Sequence, residues 1–213
     1  MSCPSEKQTT VASADEAMSR YAQGDGASFD VVYDAVAPRL ERYLGRHVRD
    51  TARREDIIQQ TFLQMHCARG TFAIGAEVLP WAFAIARRLM IDGHRASRRE
   101  ARLELDEDGA RPPPSETPFA ARVPSGEEEV AAREVGTRLL GAYRHLTEPQ
   151  RAAFELVKWD GLSHAQAAAV LGTSVTGVKL RVHRVYLALR SALPLGPIDT
   201  LRIVAKSRQI GAR

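Results

Sequence analysis

Residues 146–190, LTEPQRAAFELVKWDGLSHAQAAAVLGTSVTGVKLRVHRVYLALR, divide themselves into three short helices. Gln150 follows Thr147 by three positions, and Gln166 follows Ser163 by three. Each pair has the spacing of a capping box, in which two orphan backbone donors at a helix start are satisfied reciprocally. Gly172 stands where the middle helix must end in a left-handed residue. Val175, Val178, Val182, Val185 and Leu189 then recur on one stripe of the last helix. Thr176, Lys179, His183 and Arg184 fall on its other side. A short helix, a tight turn and a helix with a basic outer face is the form that enters a DNA major groove.

Charge is laid out in blocks. The formal net charge is only +4, yet residues 136–213 hold twelve bases against four acids, a net of +8. Residues 20–100 hold thirteen bases and ten acids, a net of +3, and residues 101–135 hold four bases and nine acids, a net of −5. Two basic modules around an acidic connector suit a polyanionic partner, because each neutralised phosphate releases counterions. Hydrophobic residues at 44% and charged residues at 26% give the balance of a globular chain rather than a disordered one. No apolar run approaches a membrane span, and the N-terminal stretch lacks a signal-peptide core, so a cytosolic protein is expected. With only Cys3 and Cys67, a disulfide framework is excluded. Cys67 falls in a helical pattern and is expected as a buried thiol.

The organisation follows from periodicity. Phe29, Val32, Val36, Leu40 and Tyr43 keep helical spacing, with Pro38 expected as a kink or break. Ile58, Phe62 and Met65 form a second stripe, and Trp81, Ile85 and Leu89 a third, with Pro80 suited to a first turn. Residues 101–128 hold five prolines and a cluster of acids, too little apolar surface to offset the entropy of ordering. No alternation of β type has useful length. The expected fold is all-α: an N-terminal helical bundle and a C-terminal helix-turn-helix domain, joined by a flexible acidic, Pro-rich linker. The expected boundaries are a disordered tail at 1–17, a first domain at 18–100, the linker at 101–128, a second domain at 129–194 and a C-terminal tail at 195–213.

In this order the motifs resemble the sigma-70 family of RNA polymerase sigma factors, in the extracytoplasmic-function (ECF) group. REDIIQQTFLQMH at 54–66 is similar to the helix that docks on the polymerase clamp. LPWAFAIARRLMIDGHRASRR at 79–99 is similar to the segment that melts and reads the −10 element, and the helix-turn-helix to the reader of the −35 element. The resemblance implies a promoter-specificity subunit, not an enzyme, in a stress or environmental response. Its implied partners are core polymerase (β′ clamp and β flap), promoter DNA and an anti-sigma factor, with no direct membrane insertion. It implies no cofactor and no metal.

The resemblance also implies site residues. Asp56, Gln59, Gln60 and Phe62 would face the clamp, where carboxylate and amide groups meet arginines through charge-assisted hydrogen bonds. The structural alternative is a solvated face with Phe62 in the core. Arg87, Arg88, Arg95, Arg98 and Arg99 would hold the −10 DNA. Arg88, Arg95 and Arg99 share one face if the helix runs that far, and guanidinium planes can stack on bases. The loop at 71–79 is where relatives capture a flipped base, and Trp81 is either a stacking platform or core. Ser174, Thr176, Lys179, Arg181, His183 and Arg184 would contact the −35 element, with Arg181 toward phosphate and Lys179 and Arg184 able to reach guanine. The chain departs from its relatives in Arg88, where many carry Asn, in the order Thr176-Gly177, and in Leu180, where many carry a small polar residue. Gly177 implies either a close DNA backbone or close packing against the preceding helix. The linker acids either mimic nucleic acid in the RNA exit path or only solvate a tether.

A competing class is a stand-alone helix-turn-helix regulator with a dimerising or ligand-sensing bundle, for which half-site symmetry in the DNA target would be diagnostic. An enzyme is disfavoured: the six histidines are scattered, with no nucleophile motif and no phosphate-binding glycine loop. Asp92 and His94 lack the further ligands a metal would need.

Overall fold

The computed structural model describes the backbone over residues 6–104 and 127–193, and side chains over 13–96 and 133–193. Among these residues there are eight α-helices, one short 3-10 turn and no strand. The expected linker and C-terminal tail, and Cys3, lie almost entirely outside them.

The first module begins earlier than the sequence predicts. Helix α1 (Glu6–Ala22) occupies most of the expected disordered tail. Ala14, Ala17, Met18 and Tyr21 are buried on one face of α1, which packs on α2 (Ser28–Leu44) and α4 (Val78–Glu104). Half of that stripe is alanine, which lets helices approach closely but carries little hydropathy signal. Helix α2 buries Val32, Val36, Leu40 and Tyr43, as its periodicity predicts. It is not broken at Pro38, which stands inside the helix on the solvent side. There the missing N–H and the bulky ring disturb no packing, and the core stripe on both sides holds the helix together.

Asp50 caps α3 (Thr51–Ala68), its side chain accepting from the Ala52 N–H at 3.0 Å. Ile57, Ile58, Thr61, Phe62 and Met65 are buried. Cys67 is exposed, contrary to expectation. It follows Met65 by two positions, which puts it on roughly the opposite side of the helix. Helix α4 continues to Glu104, past the expected boundary at 100. Its inner face carries Val78, Leu79, Ala82, Phe83, Ala86 and Met90, with Phe83 wholly enclosed. Trp81 is half-buried, its ring 5.1 Å from that of Phe72.

The second module comprises α5 (Glu127–Arg144), α6 (Glu148–Lys158), α7 (His164–Leu171) and α8 (Val175–Ser191). Both expected capping boxes are present: the Thr147 N–H donates to Gln150 Oε1 at 2.9 Å, and the Ser163 N–H to Gln166 Oε1 at 2.7 Å. Gly172 ends α7 in the left-handed region, φ +59°. Phe154, Leu156, Ala167, Val178, Val182 and Val185 form the core of this module. Val175 does not join it and is 40% exposed, because it lies at the very start of α8, before the stripe meets α6 and α7. The two modules touch: α7 lies along α4.

Candidate nucleic-acid and polymerase interfaces

The recognition helix is presented by its cap. Ser174 Oγ accepts from the Gly177 N–H at 3.0 Å, which fixes the start of α8 relative to the turn. A Cβ at Gly177 would stand 3.0 Å from Thr173 Oγ1 and 3.2 Å from Ser174 Oγ. The glycine therefore makes room for two turn hydroxyls, one of which is the cap. With Val178, Val182 and Val185 turned inward, Thr176, Lys179, Leu180, His183 and Arg184 are exposed, and Arg181 is half-buried at the edge. Ser174 thus serves geometry first. His164, at the start of α7, is held below its usual imidazole value by burial and by the nearby Lys179 and Lys158 ammonium groups.

On α4 the arginines divide. Arg88 is exposed and donates to Gln64 Oε1 at 2.5 Å, and Arg95 is exposed, 3.8 Å from Asp92. These two are seven apart on one helix face. Arg98 and Arg99 are helical, but their side chains lie outside the described residues. Arg87 departs from expectation. Its side chain is 13% exposed and pairs with Glu148 at the start of α6, so it faces the second module and not open solvent. It is one position from Arg88, which rotates it about 100° around the axis, toward the neighbouring helices.

On α3, Asp56, Gln59 and Gln60 are exposed as expected. Phe62 is 6% exposed and forms the floor of this surface. It sits among rings, 4.7 Å from Tyr33 and 5.8 Å, edge-on, from Phe29. Tyr33 is exposed beside it, and Leu63, the next residue on α3, is exposed as well. Neither Tyr33 nor Leu63 was among the expected site residues. The available signal was an apolar residue lying off the core stripe of its own helix.

Two further residues were missed on α1. Asp15 Oδ1 accepts from the Val78 N–H at 2.8 Å, capping α4, and Ser19 Oγ accepts from the Gly75 N–H at 3.1 Å. They anchor the loop that precedes α4, where Gly75 adopts φ +79°. Burial raises the Asp15 carboxyl above its usual value, more than the Val78 hydrogen bond lowers it.

A helical bundle with an exposed arginine face, followed by a capped helix-turn-helix with a basic outer surface, defines a two-module DNA-binding protein. The family models match both parts, Sigma-70 region 2 over residues 32–100 and Sigma-70, region 4 over residues 137–189. RNA polymerase sigma factor CarQ of Myxococcus xanthus is 32% identical over 83% of this chain and 95% of its own length. ECF RNA polymerase sigma factor EcfG of Rhodopseudomonas palustris is 30% identical, over 80% of this chain and 91% of its own length. Among solved structures, CnrH in complex with the cytosolic domain of CnrY matches with a TM-score of 0.55 at 25% identity, covering 84% of this chain and 96% of that one. The sigma factor RpoE of Bartonella quintana, in complex with the anti-sigma factor NepR, shares the fold with a TM-score of 0.55 at 24% identity, over 78% of this chain and 97% of that one. This chain belongs to the sigma-70 family of RNA polymerase sigma factors, in its ECF group.

Proposed function

We propose that this sigma factor grips a promoter at two points, with α8 on the −35 element and α4 on the −10 element, while α3 docks on core polymerase. The observation that carries this reading is the exposed face of α8, where the Ser174 cap and the buried valines leave Thr176, Lys179, His183 and Arg184 outward. Direct base readout needs side chains of this kind on a helix fixed at its start. Arg88 and Arg95 then take backbone phosphate on the −10 side, with Arg98 and Arg99 continuing the same helix. Asp56, Gln59 and Gln60 supply carboxylate and amide acceptors for the clamp, over the aromatic floor of Phe62. The reading assigns no chemical step to the chain.

CnrH was captured with CnrY, and control by an anti-sigma partner is proposed for this chain as well. No described helix is long and apolar enough to cross a membrane, and the cytoplasm, where polymerase and promoter are, is the proposed site of action. The docking assignment is tested by co-purification with core polymerase. The double variant Asp56→Ala, Gln59→Ala should weaken binding by about 1.5–3 kcal/mol, the size of a hydrogen bond to a charged group. Affinity at the wild-type level would reject it.

A further inference from the structure

The modules meet across a seam whose charges are sorted by side. The first module brings Arg46, His47 and Arg87; the second brings Asp160, Glu155 and Glu148. Arg46 Nη2 donates to both carboxylate oxygens of Asp160, at 2.5 and 2.6 Å. Its guanidinium lies 5.8 Å from the ring of Tyr43 and 5.4 Å from that of Trp159, one ring from each module. His47 Nε2 stands 2.9 Å from Glu155 Oε2, close enough for an ion pair but not aligned as a hydrogen bond, and Tyr143 donates to the other oxygen. Residues 136–213 carry only four acids, and three of them are these seam carboxylates. Beyond the start of α5, where Glu127, Glu128, Glu129 and Glu134 lie, the second module turns nearly all of its acids onto Arg46, His47 and Arg87.

The seam is also incompletely satisfied. Among the described residues, the buried side-chain polar atoms without a well-aligned hydrogen bond are all here: Arg46 Nε and Arg87 Nε, and His47 Nε2 and Glu155 Oε2, which face only each other at 2.9 Å. A buried charge with unmet donors carries a desolvation penalty that an apolar interface would not. Burial lifts the Asp160 carboxyl above its usual range despite the Arg46 pair, which is the same penalty seen from the acid's side. Opening the seam would hydrate every one of these atoms, so the contact holds the modules together while leaving them separable.

We infer that Glu148, Glu155 and Asp160 act as an internal stand-in for nucleic-acid phosphate, latching Arg46, His47 and Arg87 in a closed resting state that DNA must displace. The inference rests on the promoter-binding reading only for the identity of the competing polyanion. Arg87 is the cation that the latch withdraws from the DNA-facing helix. Binding to an open form populated to roughly a tenth weakens apparent affinity about tenfold.

The test uses the full chain without polymerase. Donor and acceptor dyes are placed at Asp34→Cys and Arg190→Cys, with Cys3→Ser and Cys67→Ser. The wild-type sequence should give one population of high energy transfer. Glu148→Gln with Asp160→Asn should move most molecules to low transfer and tighten binding to a short DNA duplex about tenfold. Glu134→Gln, which neutralises an exposed acid on α5, should do neither. The exchange Arg46→Asp with Asp160→Arg should restore high transfer at unchanged net charge, which separates a broken latch from a misfolded chain. Wild-type transfer as low as that of the acid variant would overturn the inference, as would an acid variant with wild-type transfer and affinity. Promoter-directed transcription is read separately, so its failure would remove the initiation role and leave the latch standing.

Discussion

Ser174 shows how one hydroxyl sets the aim of a recognition surface. It caps α8 through the Gly177 N–H, and Gly177 is small because that hydroxyl and Thr173 Oγ1 are so near. Ser174→Ala should therefore cost about 1 kcal/mol in a urea melt, with a matching loss in −35 binding as the first turn frays. His164 supplies a pH signature. Its imidazole is held below its usual value in the folded chain, so its stabilising contribution is fully present above the ordinary histidine value. That contribution is lost as pH falls through the lower folded value, because the unfolded chain takes up the proton first. His164→Gln should lose less unfolding free energy than wild type between about pH 7.5 and 5.5; an identical slope would show that the group contributes nothing. At this scale, what was legible in the sequence was local. Capping boxes join residues three apart, so Thr147–Gln150 and Ser163–Gln166 could be read directly. The environment of Cys67 could not be read from helical pattern alone and needed its angular place relative to Met65.

At the scale of elements, the stripes of α2, α3 and α8 were legible because their burial repeats with the helical period. Helix α1 was not, since alanines and Met18 make a weak stripe that only close packing against α2 and α4 explains. Among the described residues Phe83 is the largest wholly buried side chain, with Tyr43 5.2 Å away. Phe83→Ala should destabilise the first module by about 3–5 kcal/mol in thermal or urea unfolding. For α8, Lys179→Ala or Arg184→Ala should lower affinity for the −35 element by about 1–3 kcal/mol relative to scrambled DNA if base edges are read. An equal loss on both sequences would assign these side chains to phosphate instead. The α3 surface was half legible: Asp56, Gln59 and Gln60 are exposed as their polar positions suggest, while Tyr33 and Leu63 lie off the core stripes that guided the prediction, and Phe62 is buried beneath them.

Over the whole molecule, two basic modules and an acidic connector could be read from charge blocks, but the way the modules meet could not. Arg46 and Asp160 are 114 residues apart, and no local rule pairs them. The fate of Arg87 depended on the same seam, because its partner Glu148 belongs to the other module. Promoter-directed initiation demands that both modules act in one complex with core polymerase. The most direct measurement is run-off transcription by core polymerase with this chain on a pool of genomic promoters. The account predicts discrete transcripts that require the chain and are reduced by Lys179→Ala and by Asp56→Ala with Gln59→Ala. No transcript above the level of core polymerase alone, on any promoter in the pool, would contradict it.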